Sequence, residues 1–134
     1  MRTFRHFTVL CLCLVNMASA SSGEDVFVGC YSLNQGSEPW IKIEKIEDSY
    51  HVSLKDSDGW NEGASLHPGS QQELSDLFEN ESAGIKSSLL ADKGAFALFH
   101  VQAGGTYGGY KAVTDYIMYI LIGAASAHKE NCTN

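Results

Sequence analysis

The sequence predicts an α+β domain: a small, mostly antiparallel β-sheet of about five strands, with one or two short helices, closed by one disulfide. Three observations carry this. The segment from Trp40 to Lys55 alternates apolar and polar residues about a turn at Glu47-Asp48-Ser49, as a hairpin with one buried face does. Two later runs, Ala95–Val101 and Asp115–Ile122, are apolar, aromatic and β-branched on both faces, as expected of covered strands. A single pair of cysteines, Cys30 and Cys132, stands near the two ends of the chain that remains once an export signal is set aside.

That signal is read from residues 1–20. Arg2 and Arg5 precede an apolar stretch from Phe7 to Met17, and Ala18-Ser19-Ala20 supplies the small-x-small exit. The run is shorter than the roughly 20 residues a spanning helix needs, so no membrane span is expected. Cys11 and Cys13 leave with the signal. Residues 21–134 then form a single small acidic domain, placed in the periplasm or secreted.

Val26–Leu33 is the first strand candidate, followed by a turn at Asn34-Gln35-Gly36-Ser37. In the hairpin, Ile41, Ile43, Val52 and Leu54 are expected on the buried face, and Lys42, Glu44 and Ser53 on the exposed one. Asp56 to Gly69 is polar and glycine-containing, and reads as a loop. Ser70 and Glu73 have the spacing of a capping box, and Leu74, Leu77 and Phe78 follow at helical spacing, which predicts a helix over 71–79. Ile85–Leu90 suits a helix turn or a strand. Gln102–Thr114 is longer than a hairpin needs and has four glycines between Ala103 and Gly109, around Tyr107 and beside Tyr110. Gly123–Ala127 is a small-residue run leading to Cys132. The opening hairpin is similar to those of small lipocalin-like and lysozyme-inhibitor β domains, although no motif of either is present residue for residue.

Charge narrows the function. The chain has 9 Lys+Arg and 16 Asp+Glu, and both arginines lie in the signal. The exported domain has seven lysines against sixteen acids, net −9 and without arginine. Nucleic acid, whose phosphates require basic partners, is excluded as a target, and so are anionic membrane surfaces. A basic protein partner would instead be steered toward such a domain.

Catalytic and metal signatures are missing. His51, His67, His100 and His128 have no ligand spacing, and there is no Cys-x-x-Cys. His67, before Pro68 in the polar segment, is expected in solvent, and His100 in the core. Asp56, Asp58 and Glu62 resemble a calcium loop only faintly, because Gly59 is misplaced and the closing acid is absent. No Gly-x-Ser-x-Gly occurs, and Gly104–Gly109 lacks the Lys-Ser/Thr ending of a phosphate loop. Neither an enzyme nor a cofactor is expected. Asn80-Glu81-Ser82 and Asn131-Cys132-Thr133 match the glycosylation sequon.

The expected function is that of a small exported inhibitor or immunity-type protein that occludes a cationic partner, such as a cell-wall hydrolase or a toxin. Tyr107 and Tyr110 are its candidate anchors, since tyrosine supplies contact area at low entropy cost. Asp56, Asp58 and Glu62 are its candidate steering charges. The alternative is a lipocalin-like carrier of a small apolar ligand; five strands barely close the barrel that such a carrier requires. A hydrolase without a linear signature is a third reading.

Overall fold

The computed structural model describes residues 25–121 and 123–132. The segment 1–20, expected to be an export signal, lies outside the described residues. The disulfide is present, joining Cys30 to Cys132 across a sequence separation of 102.

The sheet has nine strands rather than about five, and is nearly a barrel. Its strands are β1 (Gly29–Ser32), β2 (Ile41–Ile46), β3 (Ser49–Asp56), β4 (Gly59–Pro68), β5 (Ser87–Ala91), β6 (Phe96–His100), β9 (Tyr116–Ile120), β10 (Gly123–Ser126) and β11 (His128–Glu130). A separate two-stranded ribbon, β7 (Thr106–Tyr107) and β8 (Tyr110–Lys111), lies between β6 and β9. The sheet order is β10-β9-β6-β5-β4-β3-β2-β1-β11, and every pairing is antiparallel. The strands at the two edges, β10 and β11, are separated in sequence by Ala127 alone. One bent segment therefore pairs with β9 on one side and β1 on the other, and brings the edges together. At the bend, Ala127 N–H donates to Tyr116 O at 2.9 Å, and Thr114 Oγ1 donates to Ala127 O at 2.6 Å.

Closure explains the two faces of the apolar strands. The inner core draws side chains from all round the sheet: Phe27, Tyr31, Ile41, Ile43, Val52, Leu66, Leu89, Leu98 and Met118 among them. Alternate residues of β5, β6 and β9 face outward into a second core, where Leu90, Ala97, Phe99 and Ile117 meet Leu74, Phe78 and Tyr107. Successive strand residues point to opposite faces, so strands covered on both sides must be apolar throughout.

The cover is a helix, α1 (Gln71–Phe78), followed by a 3-10 turn at Glu79–Gly84. The predicted capping box is formed: Glu73 N–H donates to Ser70 Oγ, and Ser70 N–H to Glu73 Oε1, both at 3.1 Å. Leu74 and Phe78 are buried, but Leu77 faces outward and is 56% exposed. Phe78 docks edge-on against Phe99 and Tyr119, with ring centroids 4.8 and 5.8 Å away.

The hairpin pairs as the alternation requires, Ile41 with Leu54 and Ile43 with Val52. Its far end departs from the expectation: Ser53 is buried, at 7% exposure, and Leu54 is 43% exposed. The register between β3 and β4 shifts between His51 and Ser53, so Val52 and Ser53 are both covered. The polar segment Asp56–Gly69, expected as a loop, is largely β4. Its residues from Asn61 to Ser65 are exposed, so this stretch of strand lacks an apolar period. Ile85–Leu90, left open between helix and strand, holds most of β5.

Candidate functional site

The sequence-nominated site residues are not brought together. The β3–β4 turn and the β6–β9 connection lie at opposite ends of the antiparallel meander, and they carry the acids and the tyrosines respectively. Asp56 and Asp58 are exposed on the turn and Glu62 on β4. Asp56 receives hydrogen bonds from Asp58 N–H at 2.8 Å and from Asn61 Nδ2, so its carboxylate orders the turn.

Tyr107 does not project from a loop tip. It is 5% exposed, and its hydroxyl accepts from Gln102 N–H at 3.2 Å. The neighbouring glycines make room for its ring. A Cβ on Gly84 would lie 2.8 Å from the ring, and one on Gly105 2.6 Å from its hydroxyl. Gly108 and Gly109, both at positive φ, form the two-residue turn between β7 and β8. Tyr110 is half-buried, and its hydroxyl accepts from Ser126 N–H at 2.7 Å. The glycine-rich segment thus folds back onto the sheet and packs it.

A cleft lies elsewhere, between α1 and the outer face of β5, β6 and β9. This cleft is about 600 Å³ in volume. Its floor is the buried outer core, with Leu90, Ala97, Phe99 and Phe78, and Tyr119 and Ile120 are the half-buried residues of the sheet that reach its surface. Leu77 and Leu121 also line it, and Leu121 is 90% exposed. Its polar lining is His67 at the end of β4, Glu73 and Asp76 on α1, and Asp92 on the β5–β6 turn. A second hollow of about 430 Å³ lies beside Asp25, Tyr50 and Lys86.

His67, expected in solvent, holds a bridge at the mouth of the cleft. Its Nε2 lies 2.9 Å from Glu73 Oε2 and its Nδ1 2.8 Å from Asp92 Oδ1. The hydrogen bond to Glu73, then that to Asp92, holds the imidazole pKa above the ordinary histidine value. The same bond to His67, aided by the Ser70 N–H, holds the Glu73 carboxyl below its ordinary value. His100 is half-buried and stacks on Tyr116, with ring centroids 5.3 Å apart. Burial lowers its pKa.

This arrangement can seat an apolar group against Tyr119 and the leucines beside it and place a positive charge among carboxylates. Sequence reasoning missed it because residues 67, 73, 92 and 121 are gathered only by the fold. The faint signal was Leu77, an apolar residue on the edge of the helical stripe. Among the described residues, no group of three or more His, Cys, Asp or Glu could hold a metal ion, and no helix is long and apolar enough to cross a membrane. Comparison with protein-family models, with curated proteins and with solved structures finds no match.

Proposed function

We propose that this chain is an exported binding protein that acts by occlusion, and that its contact surface for a basic protein partner is the α1 cleft. The observation carrying this reading is the combination at one opening: an apolar cleft of about 600 Å³, exposed Leu77 and Leu121 at its lining, and Glu73, Asp76 and Asp92 among its polar groups. Aromatic and aliphatic walls supply affinity by desolvation, and the carboxylates select a positive neighbour and speed encounter. A volume of this size lies within the range of pockets that bury a ligand group. The partner class is a basic enzyme whose active cleft is blocked, such as a cell-wall hydrolase or a toxin. The inner core of the sheet is occupied by side chains, so a carrier function would also use the outer cleft.

Leu77→Arg with Leu121→Arg tests the reading. Both residues are exposed, so the fold should tolerate the pair. Burying each leucine against a partner contributes about 1.5 kcal/mol, so losing both weakens binding roughly a hundredfold. Wild-type protein should inhibit peptidoglycan lysis by one of a panel of basic muramidases, and the double variant should do so far less at unchanged Tm. Equal potency of the two would remove the cleft from the interface. Failure of the immobilised protein to retain any basic protein from competitor lysates would remove the occlusion reading.

A further inference from the structure

The cationic seat of the cleft is already filled, by a charge of the protein's own. A neutral imidazole has one N–H and one lone pair, and can donate to a single carboxylate. His67 has a carboxylate oxygen within 2.9 Å of each ring nitrogen. Both nitrogens must therefore carry hydrogen, and the bridge is complete only in the imidazolium state. The charged groups around it are Glu73 and Asp76 from α1 and Asp92 from the β5–β6 turn, with Lys93 next on that turn. Its neighbours on β4, Leu66 and Pro68, and its pair on β5, Leu90, have no charge.

We infer that the seat between Glu73 and Asp92 takes the cationic head of an apolar-bodied group, a lysine or arginine of the basic partner flanked by apolar side chains, in exchange for the proton of His67. This rests on the cleft being the contact surface. The apolar body lies against the accessible apolar lining, Leu77, Tyr119, Ile120 and Leu121, and the head replaces the imidazolium as counter-charge. Proton and ligand head then exclude one another. By linkage, cation affinity rises with pH while His67 is protonated and levels off once it is neutral, and a bound cation lowers the pKa of His67. Stripping the proton also releases one arm of the bridge, which frees a carboxylate for the incoming head. The interface is thereby made weaker in acid and stronger at neutral pH and above.

The test is calorimetric titration with n-octylammonium as probe, with n-octyl sulfate and n-octyl glucoside as anionic and neutral controls, between pH 5.5 and 8.5. The cation should bind at least tenfold more tightly than the sulfate. Its affinity should rise toward tenfold per pH unit at the acidic end, with up to one proton released per ligand bound, read from the dependence on buffer ionisation heat. In His67→Gln the profile should be flat and proton release absent, while the preference for the cation persists. Glu73→Gln keeps the capping role open to glutamine at that position. It should weaken octylammonium binding and lower the His67 pKa read by ring NMR shifts. A wild-type affinity that ignores pH with no proton released would overturn the exchange, as would equal affinity for octyl sulfate or no binding of octylammonium at any pH. Those results leave the effect of Leu77→Arg with Leu121→Arg on muramidase inhibition standing. Conversely, a panel without an inhibited enzyme leaves pH-linked octylammonium binding standing.

Discussion

Replacing Tyr107 with alanine separates a packing role from a contact role for the glycine-rich segment. The ring is buried in the outer core beside Gly84 and Gly105, and its hydroxyl is tied to the Gln102 backbone. Truncating a buried aromatic to alanine costs about 3–5 kcal/mol, from lost transfer energy and the cavity left behind. For a domain of roughly a hundred residues each kcal/mol moves Tm by about 4 °C or more, so a fall of at least about 12 °C is expected. Tyr107→Phe keeps the ring and loses only hydrogen bonding, which costs about 1 kcal/mol. Thermal unfolding followed by near-UV circular dichroism gives both values. The protein that stays folded at low temperature should bind octylammonium as wild type does, because the cleft wall does not use this ring. A Tm within about 2 °C of wild type would mean that the ring is not packed, and would return Tyr107 to the candidates for partner contact.

Three further outcomes are expected. Val52→Asp should unfold the domain, since it puts an unpaired carboxylate among Ile43 and Leu66 in the inner core, and a cooperative transition near the wild-type Tm would contradict the register. Cys30→Ser opens a loop of about a hundred residues, which the chain-entropy model values at roughly 4–5 kcal/mol, so Tm should fall by more than about 15 °C. The His67 bridge should leave a pH signature in stability. With its pKa raised, His67 contributes fully below the unfolded value near 6.5, and the contribution is lost as pH rises through the folded value. Glu73, with its pKa lowered, contributes above about 4.5 and loses this as pH falls through its folded value. The Tm gap between wild type and His67→Gln should therefore be widest near pH 5.5–6 and shrink by pH 8.5; a gap that widens with pH would show that the bridge is not held by the imidazolium.

Much of the frame was legible in local pattern. The hairpin pairing, the capping box at Ser70 and Glu73, the doubly apolar runs behind β6 and β9 and the disulfide all have near-neighbour or compositional signatures, and each is found where it was expected, except that the alternation of the hairpin breaks at Ser53 and Leu54. The strand count was not legible. β4 reads as a polar loop because a stretch of it lies in solvent, and β10 reads as part of a small-residue run, with β11 unassigned after it, because their side chains add little to either core. Both are strands by virtue of neighbours far away in sequence. Tyr107 was misplaced for a related reason: glycines that let a backbone approach a partner also let it approach a ring of its own chain. Leu77 apart, the cleft has no linear trace, since the helix α1, the end of β4, the turn after β5 and the outer face of the sheet compose it.

The bend at Ala127 bears on how the chain reaches its final state. β1 is among the first described segments to leave the ribosome, yet one of its two partners, β11, is among the last. Until residues 123–130 are available, the outward backbone groups of both β1 and β9 have nothing to pair with, and the nascent sheet is an open ribbon ready to pair with any other strand. Cys132 lies two residues beyond that final segment, so sealing the ribbon is what brings it beside Cys30 in the native register. The native seam and the disulfide thus stand side by side, the one zipped and the other bolted beside it. Oxidation before the seam is in register would trap an unsealed sheet, so timing of thiol oxidation decides the yield of the closed form.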